Sequence, residues 1–325
     1  MKYQDKNKKI KTIGVFAPSS GIGDRIEKSN IVTRELEKMG YKIKFTESVI
    51  NDNIVSNTPE IRIKELNSLL TDDEVDAIFC ASGGDFAIEI APYIDYELLN
   101  KYPKYIIGFS DGTIITYLTT TGADVATITS YNYINIARTL NDSSLINLLA
   151  IINGKDIIQK DYEKYEEVKE TDVMMLTKEN KYLSNKNNIN VTGRIIGGTI
   201  DCISDIIGMP YDKTNNFINK YSSDGIIWYF DIFAMDSNNF YRTLLRMKHL
   251  NYFTNVKAVL VGKKTSYCKE LDISYDLALE KIFKDIPVIK EVDIGHIYPH
   301  ISIINGSVAN ISYNNGDFNI SFELK

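Results

Sequence analysis

The chain has little of several things that would fix its class. Basic residues are outnumbered, with 37 lysines and arginines against 43 aspartates and glutamates, for a net charge of −6. A nucleic-acid-binding chain carries the opposite balance. The one basic cluster, Lys6, Lys8, Lys9 and Lys11, reads as a solvated tail. Long apolar runs are also missing. The stretch from Met1 to Lys11 is polar, and the first apolar run, Ile13–Ala17, is too short for the core of a secretory signal. No later segment approaches the apolar length of a membrane span. The three cysteines, Cys80, Cys202 and Cys268, are widely spaced and odd in number. That argues against both a disulfide framework and a metal-ligand pattern. Cys80 and Cys202 lie in apolar runs and read as small buried hydrophobes. Together these absences predict a cytoplasmic protein with no nucleic-acid or membrane partner.

What is present predicts an α/β protein of two domains. A length of 325 residues exceeds what one core usually serves. An apolar share of 44% and a charged share of 25% exclude wholesale disorder. Ile13–Ala17 reads as a buried strand that ends at Pro18-Ser19-Ser20-Gly21. A helix is expected from Asp24 to Met39, closed by Gly40. Further strands at 41–45, 76–81 and 105–109 alternate with helices at 59–70, through Ile90, and after Ser110 to Thr121. This alternation predicts a doubly wound parallel sheet, whose site is built by loops at the carboxyl ends of its strands. Both Gly83-Gly84 and the Ser110 turn fall at that edge.

The second half changes character. A stretch rich in lysine, glutamate and asparagine, with Val173–Leu176 its one apolar run, predicts a linker over 161–190 between an N-terminal domain, 1–160, and a smaller C-terminal α/β domain, 191–325. That second domain opens at Gly193–Gly198 and has strands at 226–230 and 258–261 and a helix at 238–250. Asn305-Gly306 and Asn315-Gly316 punctuate its alternating tail as a hairpin signature.

Gly108-Phe109-Ser110-Asp111-Gly112 fits G-x-S-x-G directly between an apolar strand and a helix. Such a turn lifts a serine oxygen clear of the sheet and aims the following amides at an anion. A glycine-lined turn with a capping serine has the same sequence. A reacting carbonyl needs two amide donors, and those of Gly84 and Asp111 are the candidates. A general base must come from three histidines: His249 on a surface helix, His296 after Gly295, and His300 after Pro299. Pro299 breaks the helix that would align His296 and His300 on a metal, and no carboxylate-rich motif accompanies them, so no metal or other cofactor is expected. For the carboxylate that orients a histidine base, Asp231 is first choice, Asp236 second and Asp293 third.

At these residues the chain resembles the LD-carboxypeptidase family of serine peptidases, which includes muramoyl-tetrapeptide carboxypeptidases and microcin C self-immunity peptidases. The resemblance runs from Ile13 to Ile311. It rests on Ala17-Pro18-Ser19-Ser20, the helix from Arg62 to Asp73, Ser82-Gly83-Gly84 with Pro92-Tyr93-Ile94-Asp95, Pro103-Lys104 with Gly108–Asp111, Gly197-Gly198, Gly208-Met209-Pro210 and Gly295-His296. It implies a first domain of the flavodoxin or glutamine-amidotransferase type carrying the nucleophile Ser110. It implies that the second domain supplies Asp231 and His296. The activity implied is release of a C-terminal D-residue from cytosolic muropeptides by a homodimer that takes small peptides and needs no cofactor. The alternative substrate is a peptide- or aminoacyl-nucleotide, and a homologue that binds peptide without cutting it is a further one. An ordinary α/β-hydrolase esterase would share the Ser-Asp-His order, but the region after Asn190 reads as a separate domain. Three positions depart from the family pattern. Asp231 stands where it usually has Glu, Ser82 where it has Arg, and Thr199 where it has Asn.

Overall fold

The computed structural model describes residues 1–166 and 174–325. Residues 167–173, which include part of the expected linker and Val173, lie outside the described residues. The chain divides into two compact units, one of residues 1–156 with 302–305, the other of 157–301 with 306–325. Among the described residues no helix is long and apolar enough to cross a membrane.

In the first unit β1 (Thr12–Phe16), β2 (Lys42–Phe45), β3 (Ala77–Cys80), β4 (Tyr105–Gly108) and β5 (Thr127–Thr129) run parallel in the order β2-β1-β3-β4-β5. This is the doubly wound order, with its switch point between β1 and β3. Every residue of β3 and β4 is buried, which is why these strands read as continuous apolar runs rather than alternating ones. The connecting helices are α1 (Ile26–Lys38), α2 (Pro59–Thr71), α3 (Tyr96–Lys101) and α4 (Thr113–Ala123), with α5 (Ser143–Ile152) after β5. The expected first helix begins with a 3₁₀ turn at Gly23–Arg25. The helix expected through Ile90 is 3₁₀ over Ala87–Tyr93. Pro92 within it lacks the N–H that an α-helical turn would use.

The second unit is built on β6 (Gln159–Lys160), β7 (Lys164–Tyr165), β8 (Lys178–Glu179), β9 (Leu183–Ser184), β10 (Asn188–Thr199), β11 (Ile226–Asp231), β12 (Val256–Gly262) and β13 (Val288–Val292). Its helices are α6 (Ile200–Ile206), α7 (Thr214–Lys220), α8 (Ser237–His249) and α9 (Tyr275–Phe283). After β13, β14 (Ile303–Asn305) pairs antiparallel with β5 in the first sheet, while β15 (Val308–Asn314) and β16 (Asp317–Glu323) return to the second. The second sheet has the order β6-β16-β15-β10-β11-β12-β13-β9, and its four central strands β10 to β13 are parallel. Their carboxyl ends carry Thr199, Asp231, Gly262 and the loop from Asp293 to His296.

Three details differ from the sequence reading. The expected linker is not free-standing: residues 157–190 cluster with the second unit, β6 and β9 edge its sheet, and Tyr182 is buried. With those residues included, the second unit is not the smaller one. Asn305-Gly306 does not close a hairpin, because β14 and β15 lie in different sheets. Asn315-Gly316 does close one, with both residues at positive φ, 50° and 117°, between Asn314 and its partner Asp317.

Candidate active site

In the first unit, β4 ends in the turn at Ser110. Ser110 has φ 58°, left-handed for a residue with a Cβ. That conformation costs about 1–2 kcal/mol. The surroundings enforce it. A Cβ on Gly108 would stand 2.7 Å from Cys80 Sγ, so only glycine lets β4 pass β3 before the turn. Asn132, fully buried beyond β5, clamps the residue before the serine from both sides. Its Oδ1 accepts from the Phe109 N–H at 3.1 Å and its Nδ2 donates to the Phe109 carbonyl at 3.2 Å. The Gly83-Gly84 loop faces this turn, since a Cβ on Gly83 would lie 3.0 Å from Ser110 Oγ. Gly84 has φ 142°, and a Cβ there would be 2.3 Å from Ser19 Oγ.

Asp111 enters the sequence reading only through its backbone amide, yet its carboxylate ties the loops together. It accepts from the Ala87 N–H at 2.8 Å, and Ser19 and the Phe86 amide also bond to it. Ser19 Oγ accepts from Phe86 N–H at 3.1 Å. Burial pushes the Asp111 carboxyl above the usual carboxylate range, and these hydrogen bonds oppose that rise. The loops after β1, β3 and β4 thus meet on one buried acid beside the serine.

In the second unit β11 is buried throughout and ends in Asp231, itself 1% exposed. A buried carboxylate needs partners, and three hydrogen bonds reach it. His296 Nδ1 lies 2.8 Å from Oδ2, the His296 N–H donates to Oδ1 at 3.3 Å, and the Thr199 hydroxyl donates to Oδ2 at 2.8 Å. With its Nδ1 proton on Asp231, the imidazole presents Nε2 as an acceptor. The Phe233 ring lies over it, centroid to centroid 4.3 Å. Gly295 makes the approach possible: it has φ 95°, and a Cβ there would fall 1.8 Å from Asp231 Oδ1. Gly295→Ala should therefore push His296 off Asp231. Turnover is expected to fall by about a hundredfold, the scale of a misplaced catalytic group. Steady-state kinetics on a variant with unchanged circular dichroism checks this, and wild-type turnover would contradict it.

The other candidates are placed elsewhere. Asp236 caps α8, accepting the Asn239 N–H at 2.9 Å. Asp293 is buried against Lys263, Nζ to Oδ1 2.5 Å, and also accepts from the Tyr182 hydroxyl at 2.7 Å and the Tyr162 N–H at 3.0 Å. His249 is exposed at the end of α8, and His300 is buried with its ring 4.6 Å from that of Tyr298. Of the three acids considered, Asp231 is the one bonded to the His296 ring. Sequence reasoning missed Asn132 and Phe233, and it gave Ser19 a place in the Ala17–Ser20 stretch but no role. No motif marks the first two, and all three roles depend on which strand ends lie side by side.

Comparison with known proteins gives the family of the chain. The family model described as the LD-carboxypeptidase N-terminal domain matches residues 13–130, and that of the LD-carboxypeptidase C-terminal domain matches residues 192–311. A Bacillus subtilis protein named "Probable murein peptide carboxypeptidase" is 23% identical over 92% of this chain and 88% of its own. The Escherichia coli microcin C7 self-immunity protein MccF is 27% identical over 88% of this chain and 86% of its own. Among solved structures, the MccF-like protein of Bacillus anthracis superposes with a TM-score of 0.84 at 20% identity, covering 100% of both chains. Matched by both domain models in order, the chain belongs to the LD-carboxypeptidase family.

Proposed function

We propose that this protein is a serine carboxypeptidase that releases a C-terminal D-residue from L,D-muropeptides in the cytoplasm. The observation that carries the reading is the hydrogen bond between buried Asp231 and the His296 ring, which engages Nδ1 and so assigns the role of base to Nε2. It is supported by a serine held at positive φ after a parallel strand. In this reading Ser110 Oγ attacks the peptide carbonyl carbon as His296 Nε2 takes its proton. The oxyanion is met by the amides of Gly84 and Asp111. His296 then gives its proton to the departing amine, and the C–N bond breaks to leave an acyl-enzyme. Water attacks that ester with His296 again as base, freeing the shortened peptide and Ser110. Asp231 keeps its negative charge throughout and balances the imidazolium. A homodimeric state goes with this reading.

The similarity to MccF favours a second reading on the same chemistry, with a peptide- or aminoacyl-nucleotide as substrate. A panel of muramyl tetrapeptide, the matching pentapeptide and an aminoacyl-nucleotide, followed by mass spectrometry, separates them. Release of the terminal D-residue from the tetrapeptide alone is expected. Cleavage of the nucleotide conjugate with no tetrapeptide activity would replace the first reading by the second.

A further inference from the structure

We propose that Thr199 is a positioning residue for the Asp231–His296 pair: its hydroxyl fixes the rotation of the Asp231 carboxylate and, through it, the imidazole. The inference rests on the reading of Ser110, Asp231 and His296 as catalytic.

The argument begins with strand register. β10 and β11 are parallel, and Thr199 is the direct partner of Asp231 at their common carboxyl end. The two strands come unusually close just before this point, since a Cβ on Gly197 would stand 1.9 Å from the Tyr229 carbonyl oxygen. The glycine therefore sets the spacing across which the next side chains meet. Thr199 is 2% exposed and Asp231 1%, so bulk water does not compete for the carboxylate. Thr199 Oγ1 donates to Asp231 Oδ2 at 2.8 Å, and that same oxygen holds His296 Nδ1 at 2.8 Å.

An aspartate has only two side-chain torsions, and the second is broad and roughly two-fold. The His296 N–H reaches Oδ1 only at 3.3 Å, and an imidazole that must move during turnover does not fix Oδ2. A second donor on the same oxygen, carried by a β-branched side chain with few rotamers, does.

The test uses full-length protein with Thr199→Val, Thr199→Ala and Thr199→Ser. Two readouts are taken: hydrolysis of whichever panel substrate is cut, and the rate at which a fluorophosphonate labels Ser110. Thr199→Val is expected to lower kcat and labelling by about 10- to 100-fold, the cost of a lost hydrogen bond to a charged group. KM should stay unchanged. Thr199→Ser, which keeps the hydroxyl, should restore most of the rate. If Thr199→Val does not fold, Thr199→Ala carries the same expectation, because it removes the hydroxyl without adding a methyl. Wild-type kcat in a folded hydroxyl-less variant would overturn the proposal. So would failure of Thr199→Ser to recover. Ser110→Ala run alongside keeps the two claims apart. If it retains hydrolysis, the catalytic reading itself is wrong. If it is dead while Thr199→Val is normal, only the role of Thr199 is lost.

Discussion

Ser110→Ala should reduce turnover by about a millionfold, the loss seen when a serine-protease nucleophile is removed. The variant should fold as the wild type does, because alanine keeps the Cβ and therefore the same left-handed strain at φ 58°. Ser110→Gly separates chemistry from strain. It should be as inactive as the alanine variant but more stable by about 1 kcal/mol, since glycine takes positive φ without the steric cost. Residual turnover and urea midpoints on both variants read this out. Activity within tenfold of wild type in either one would remove Ser110 from the chemistry. A gain of stability on losing the nucleophile would mark the turn as shaped for reaction rather than for folding.

Asp231→Asn is expected to lower turnover by about ten thousandfold, the cost of the equivalent change in a serine-protease triad. The carboxamide can still lie against His296, but it no longer fixes the tautomer or balances the imidazolium. Asp236→Asn is the matched control. Asparagine caps a helix as well as aspartate does, so α8 should keep its cap and turnover should stay near wild type. A large loss in Asp236→Asn with none in Asp231→Asn would reverse the assignment. Asp231→Glu is informative because glutamate is the usual residue of the family at this position. The close packing of Gly295 against Asp231 and the Thr199 hydroxyl bond are set for the shorter acid. The added methylene should therefore misplace the imidazole and lower turnover.

Much of this site could be read before the structure. Buried parallel strands announce themselves as short apolar runs, so β1, β3, β4 and β11 were legible, and the residues at their carboxyl ends with them. Ser110 and His296 also lie beside glycines that local geometry requires. Partners that meet only through register were not legible. Thr199 stood out as a departure from the family pattern, but nothing in the sequence says that it reaches Asp231. That depends on how β10 aligns with β11. Asn132 reaches Phe109 across the β4–β5 pair and has no local signature at all. The stretch read as a linker was misjudged because its lysines, glutamates and asparagines outnumber the tyrosines that anchor it. The Tyr162 hydroxyl donates to the His300 carbonyl and the Tyr182 hydroxyl to Asp293. Asn305-Gly306 has the composition of a hairpin turn, and only the pairing of β14 with β5 shows otherwise.

That pairing bears on how the chain is made. The first sheet takes its sixth strand, β14, from residues 303–305, which leave the ribosome only after the stretch from 157 to 301 has been synthesised. At about 5–20 residues per second the interval is roughly 7 to 30 s. Throughout it the nascent first unit presents the β5 edge, Thr127–Thr129, without its native neighbour. An open edge is a template for pairing with another chain, so this is the period in which two nascent copies are most exposed to each other. The two units cannot mature one after the other like beads on a string. The N-terminal unit, though first to emerge, is finished only after nearly all of the other has been translated.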